Sequence, residues 1–159
     1  MPRRQLTVGD VAPEFALQAS DGRTYRLIDC RHRHVVVLAW FPKAFTTGCT
    51  AQCQSIGAHA EALRARGAIV FGANVDTPET NRQFAAALGL AFPILSDPCG
   101  TTARAYGVLG ASGLPSRWTF YIGADGRVLS IDKAVRVSTN GVDIERALDG
   151  WTGAAPATE

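Results

Sequence analysis

The chain has 159 residues, 47% apolar and 19% charged, proportions that fit one globular domain with a sizeable core and exclude a disordered or fibrous chain. Its 16 basic and 14 acidic residues leave a formal charge of +2, and basic residues cluster only at Arg3-Arg4 and over 31–34, so neither nucleic acid nor a membrane is an expected partner. Residues 1–10 lack an apolar stretch and the longest apolar run, 35–41, is strand-sized, so no leader or membrane span is expected and the cytoplasm is the expected compartment.

In chain order, residues 15–17 and 25–27 alternate apolar and polar around Asp21-Gly22, the pattern of a hairpin. Val35 to Trp40 is continuously apolar, as for a strand buried on both faces. A loop over 42–48 precedes a helix whose apolar stripe is Cys49, Cys53, Ile56, Ala60 and Leu63, with Gly67 as its stop. Residues 68–75 read as a second buried strand. Thr77-Pro78 then caps and opens a helix that turns Phe84 and Leu88 inward and ends at Gly89. A third strand over 92–95 and a short helix over 101–106 follow. Strands over 118–122 and 127–131 flank Asp125-Gly126 as another hairpin, and a closing helix over 142–148 buries Trp151.

Alternating βαβ units followed by an antiparallel pair imply an α/β protein: a central mixed β-sheet flanked by helices, with an N-terminal β-hairpin. The order is compatible with a thioredoxin-like fold. We expect a single domain over 1–152 and a frayed tail over 153–159, rich in Gly, Ala and Pro.

The chemistry centres on the cysteines. In a reducing compartment Cys30, Cys49, Cys53 and Cys99 start as thiols, so a disulfide among them is expected to be transient. Cys49 stands at the mouth of a helix, where unpaired backbone N–H groups and the macrodipole favour a thiolate, the reactive form. Gly48 allows close approach, and Thr46 offers a hydroxyl nearby. On a second reading Cys49 merely begins the buried stripe, since free cysteine usually packs as a small hydrophobe.

The run WFPKAFTTGCT contains a proline, three residues, a threonine, two residues and a cysteine: Pro42, Thr46 and Cys49. In this motif the chain resembles the peroxiredoxins, and the segments 6–22, 75–97 and 114–126 resemble the family as well. The branch it most resembles is the Q type, also called bacterioferritin comigratory proteins.

The resemblance implies a thioredoxin-like peroxidase that needs no cofactor or metal. Cys49 would attack a peroxide and become a sulfenic acid. Arg117 would hold the thiolate and stabilise the leaving oxygen, Thr46 would offer its hydroxyl to the peroxide, and Pro42 would shield the sulfur. Hydrogen peroxide and small alkyl hydroperoxides are the implied substrates, thioredoxin or a similar thiol the reductant, and monomer or homodimer the assembly.

This sequence also departs from the family. A resolving cysteine often follows five residues after the reactive one; here that place holds Gln54, and Cys53 stands four residues on. Residues at i and i+4 have Cβ atoms roughly 5–6 Å apart against about 3.8 Å in a disulfide, so a Cys49–Cys53 bond requires the first turn to unwind. Cys53 is the preferred resolver, with Cys99, Cys30, or an external thiol left open and a plain core role for Cys53 weighed beside it. Thr47 stands where the family usually has proline, and Gln52 where it commonly has glutamate.

Two rivals are distinguishable. A thioredoxin-like thiol:disulfide oxidoreductase usually carries Cys-x-x-Cys, whereas this chain has Cys-x-x-x-Cys. A zinc-stabilised domain would need regular ligand spacing, which the four cysteines lack. His32, His34 and His59 are expected at the surface.

Overall fold

The computed structural model describes residues 5–152; the tail expected over 153–159 lies outside the described residues. The N-terminal hairpin pairs β1 (Ala16–Gln18) with β2 (Thr24–Arg26). Its turn is made by Gly22 at φ +86° and by Asp21, whose carboxylate accepts from the Arg23 N–H at 3.0 Å and the Tyr25 hydroxyl at 2.5 Å. A short 3-10 turn, Leu27–Cys30, leads to β3 (Val35–Trp40), which is followed by α1 (Thr47–Ala58) and α2 (Ala60–Ala65). Next come β4 (Ala68–Asn74), α3 (Pro78–Leu88), β5 (Ile94–Ser96) and α4 (Thr101–Ala105). The chain closes with β6 (Thr119–Ile122), β7 (Val128–Asp132) and α5 (Asn140–Thr152).

The five-stranded sheet has the order β5-β4-β3-β6-β7. β3, β4 and β5 run parallel, while β6 lies antiparallel to β3 and to β7. The central strand shows why its sequence carries no polar residue. Val36, Leu38 and Trp40 enter one core with Phe71, Phe120, Tyr106 and the hairpin. Val37 and Ala39 enter a second core with Cys49, Cys53, Ile56, Leu63, Phe84, Ile144 and Leu148, contributed by α1, α2, α3 and α5. Both faces of β3 are therefore covered, and alternate side chains serve different cores.

The expected elements are all present, with boundary shifts of a few residues. Among the helices one expectation needs correction: the helix read as continuous from Cys49 to Leu63 breaks at His59, which caps α1 and begins α2. The stripe survives the break, since Cys49, Cys53, Ile56, Ala60 and Leu63 are all buried. Gly67 ends α2 at φ +79°, and Gly89 ends α3 at φ +61°. At the start of α3, the Thr77 hydroxyl accepts from the Thr80 N–H at 3.2 Å, with Pro78 in the first helical position.

The histidines also divide. His32 is exposed, but His59 is half-buried and bonded to Glu145 at 2.9 Å, while His34 meets the Gly67 carbonyl. Trp151 is half-buried rather than enclosed; its ring lies 5.1 Å from that of Tyr121.

Candidate active site

The parallel strands β3 and β4 end at one edge of the sheet, and the loop from Phe41 to Thr46 rises from it. Three contacts hold that loop. The Ala44 N–H donates to the Asp76 carboxylate at 2.9 Å. The Thr46 hydroxyl donates to the Lys43 carbonyl at 2.7 Å. Phe45, at φ +66° and 57% exposed, sets its ring edge-on against buried Phe84 with 5.1 Å between centroids. A non-glycine residue in that left-handed region costs about 1–3 kcal/mol, so the surrounding contacts must over-determine the loop.

The loop delivers Cys49 into the first turn of α1, where it is 1% exposed. Thr46 occupies the cap position but makes no side-chain capping bond, and no acidic residue stands in the first turn. The positive end of the helix is thus left for an anion at the position of the sulfur. Pro42 sits half-buried in the loop between Phe41 and Ala44.

Arg117 arrives from a different part of the chain. The segment carrying it is held to the loop after α4 by the Ser116 N–H on the Val108 carbonyl at 2.8 Å and to the sheet by the Trp40 N–H on the Trp118 carbonyl at 3.0 Å. Its Nη1 lies 3.4 Å from the Cys49 sulfur and donates to Gln52 Oε1 at 2.7 Å. Gly48 gives Arg117 room for this approach, because a Cβ there would stand 3.2 Å from Arg117 Nη2. Among the described residues Arg117 makes no ion pair, so its charge faces the sulfur undivided by any carboxylate.

The structure brings Pro42, Thr46, Cys49 and Arg117 to one edge, keeps Cys53 one turn along α1, and sets Cys30 and Cys99 elsewhere. Cys53 is 1% exposed on the same core, and burial, with a smaller contribution from Cys49, pushes its thiol up to about 12. Cys30 lies in the opposite core, before β3 begins, where burial raises its thiol as well. Cys99 is exposed in the turn between β5 and α4. Three residues that border this site were not singled out from the sequence: Asp76, Val137 and Asn140. The residues they meet, Ala44, Gly48 and Gln52, lie far away in sequence, and no local pattern announces them. Among the described residues no group of three His, Cys, Asp or Glu is placed to hold a metal, and no helix is long and apolar enough to cross a membrane.

A mixed α/β sheet with a cysteine opening the first long helix beyond its central strand is the architecture of the thioredoxin-like class. The profile of the AhpC/TSA family matches residues 8–131, and the chain belongs to that family. It is 34% identical over 130 residues to the peroxiredoxin Bcp of Escherichia coli, covering 77% of this chain and 83% of that one. The Mycobacterium tuberculosis peroxidoxin BcpB superposes with a TM-score of 0.83 at 28% identity, over 92% of this chain and 98% of that one. The Xanthomonas campestris bacterioferritin comigratory protein gives 0.83 at 25%, over 92% and 98%. The protein is a Q-type peroxiredoxin, an enzyme that reduces peroxides at the expense of thiols.

Proposed function

We propose that Cys49 is the peroxide-reactive residue and that Arg117, Thr46 and Pro42 assist it. The observation that carries this reading is the 3.4 Å contact between Arg117 Nη1 and the Cys49 sulfur. The thiolate attacks one peroxide oxygen, the O–O bond breaks, and the leaving oxygen takes up a proton as water or an alcohol. Sulfur is oxidised by two electrons to the sulfenic acid, and the peroxide is reduced by two. Arg117 holds the thiolate and stabilises charge on the leaving oxygen with donors already in place. Thr46, whose proton is committed to Lys43, offers its oxygen lone pairs to the peroxide O–H. Pro42 walls the sulfur from bulk water.

Cys53 is the proposed resolving thiol. Its attack on the sulfenic sulfur forms the disulfide and releases water, and a dithiol of the thioredoxin kind restores both cysteines. Its burial means that the first turns of α1 must open first, and helix termini open at far lower cost than the whole fold. Hydrogen peroxide and small alkyl hydroperoxides are the proposed substrates, a cytoplasmic monomer or homodimer the proposed form, and 1–152 the proposed single domain.

One experiment tests the assignment. Reduced protein receives one equivalent of hydrogen peroxide, remaining thiols are alkylated, and tryptic peptides are mapped by mass. Oxidation on the peptide holding Cys49 is expected, with Cys53 bonded within it; Cys49 left reduced while peroxide is consumed overturns the reading.

A further inference from the structure

Behind Arg117 runs a second layer of polar contacts. Gln52 is fully buried, and its two amide ends face different partners: Oε1 accepts from Arg117 at 2.7 Å, and Nε2 donates to Asn140 Oδ1 at 3.0 Å. Asn140 opens α5, is itself fully buried, and its Nδ2 has no hydrogen-bond partner among the described residues. The next residue, Gly141, donates its N–H to the Ser55 hydroxyl at 2.9 Å, and a Cβ there would collide with the Ser55 carbonyl. The start of α5 is therefore seated against α1 with no room for adjustment.

We infer that Asn140 is a positioning residue for the peroxidase reaction, orienting the Gln52 amide so that its oxygen, not its nitrogen, holds Arg117 over Cys49. An amide can present either end. With the nitrogen turned toward Arg117, two donors would oppose each other and the guanidinium would be driven from the sulfur. With its oxygen facing Nε2, Asn140 favours the orientation that puts the Gln52 oxygen on Arg117, because a carbonyl oxygen can only accept. The arrangement leaves a buried N–H unpaired at the far end of the relay, where a hydrogen-bonded group is the rule. An uncharged relay also leaves the arginine's charge to the thiolate, which a carboxylate at either position would share.

This inference rests on Cys49 and Arg117 being the reacting pair, so Cys49→Ser is measured first. Peroxide consumption that survives in it defeats the site assignment itself. With that assignment secure, Asn140→Leu removes the acceptor at nearly constant volume. The expected result is a fall in the second-order rate with peroxide of about tenfold or more, with the thermal midpoint kept. The profile of Cys49 alkylation against pH should also move to higher pH; the ionisable side chains facing that sulfur are those of Arg117 and Cys53.

Asn140→Ser, which keeps an accepting oxygen on the same residue without adding a charge, should return the alkylation profile part-way toward wild type. In a Gln52→Met background, Asn140→Leu should change nothing further. A wild-type rate and profile in Asn140→Leu overturns the inference. So does a loss of rate with an unmoved profile, or an effect that persists in the Gln52→Met background. If Asn140→Leu does not fold, Asn140→Ala carries the same readings.

Discussion

Arg117 and Cys49 stand 68 positions apart in the chain and 3.4 Å apart in space, with one nitrogen, Nη1, shared between the sulfur and Gln52. Arg117→Lys keeps the charge but cannot reach both partners with a rigid planar fork. The peroxide rate constant should fall by about 10²–10³-fold, the range for losing one preorganised donor. Arg117→Met should fall further. Stopped-flow consumption of peroxide reads the loss, and circular dichroism should show the fold intact.

Two glycines beside the site should respond in opposite ways to the same added methyl. Gly48→Ala places a Cβ 3.2 Å from Arg117 Nη2, the end of a side chain that can move away. Activity should drop on the order of tenfold, because small misplacements of catalytic groups are expensive in rate, while stability stays within about 1 kcal/mol. Gly141→Ala meets the backbone of Ser55, which cannot yield, and should cost about 2–3 kcal/mol of folding free energy. Parallel urea titrations and rate measurements separate the two.

The resolving step can be read from single replacements. In Cys53→Ser the sulfenic acid at Cys49 should persist long enough to be trapped by dimedone and should proceed to sulfinic acid under excess peroxide. Cys30→Ser should leave the disulfide unaffected, because Cys30 lies in the other core. A disulfide that forms as usual in Cys53→Ser and disappears in Cys99→Ser would transfer the role to the exposed turn before α4.

Alkaline conditions should unfold this protein early. Burial raises Cys53 to about 12 and raises Cys30, Tyr106 and Tyr121 as well. Each of these groups binds its proton more tightly folded than unfolded. Their contribution to stability is whole below about pH 9, near the ordinary thiol value, and is lost as pH climbs toward the folded values. Urea midpoints from pH 8 to pH 11 should decline steadily, less so in Cys53→Ala after correction for its own cavity cost. Absorbance at 295 nm should show Tyr106 and Tyr121 ionising only as the fold is lost.

Much of this architecture was legible because its signals are local. The unbroken apolar run of β3, the three- and four-residue stripe from Cys49 to Leu63, and the glycines at 22, 67, 89 and 126 each act through neighbours in sequence. The motif placing Pro42, Thr46 and Cys49 is local too, whereas Arg117 became visible only through resemblance to a family. The break at His59 was not legible. It coincides with contacts to α5 that no window of sequence contains: His59 on Glu145, and Ser55 on Gly141. The same is true of Asn140, whose partner Gln52 is 88 positions distant, and of Asp76, which anchors the Ala44 amide.

The partition of the cysteines between two cores provides an internal clock. Cys30 shares neither face nor sheet edge with Cys49, so a label arriving there in native conditions reports opening of the short turn Leu27–Cys30 ahead of β3. Labelling of Cys49 reports chemistry, labelling of Cys53 reports the opening of α1, and labelling of Cys30 reports the opening of the turn that packs the N-terminal side of the opposite core. One alkylation time course, resolved by peptide, would therefore rank three motions of this enzyme against each other without a single engineered probe.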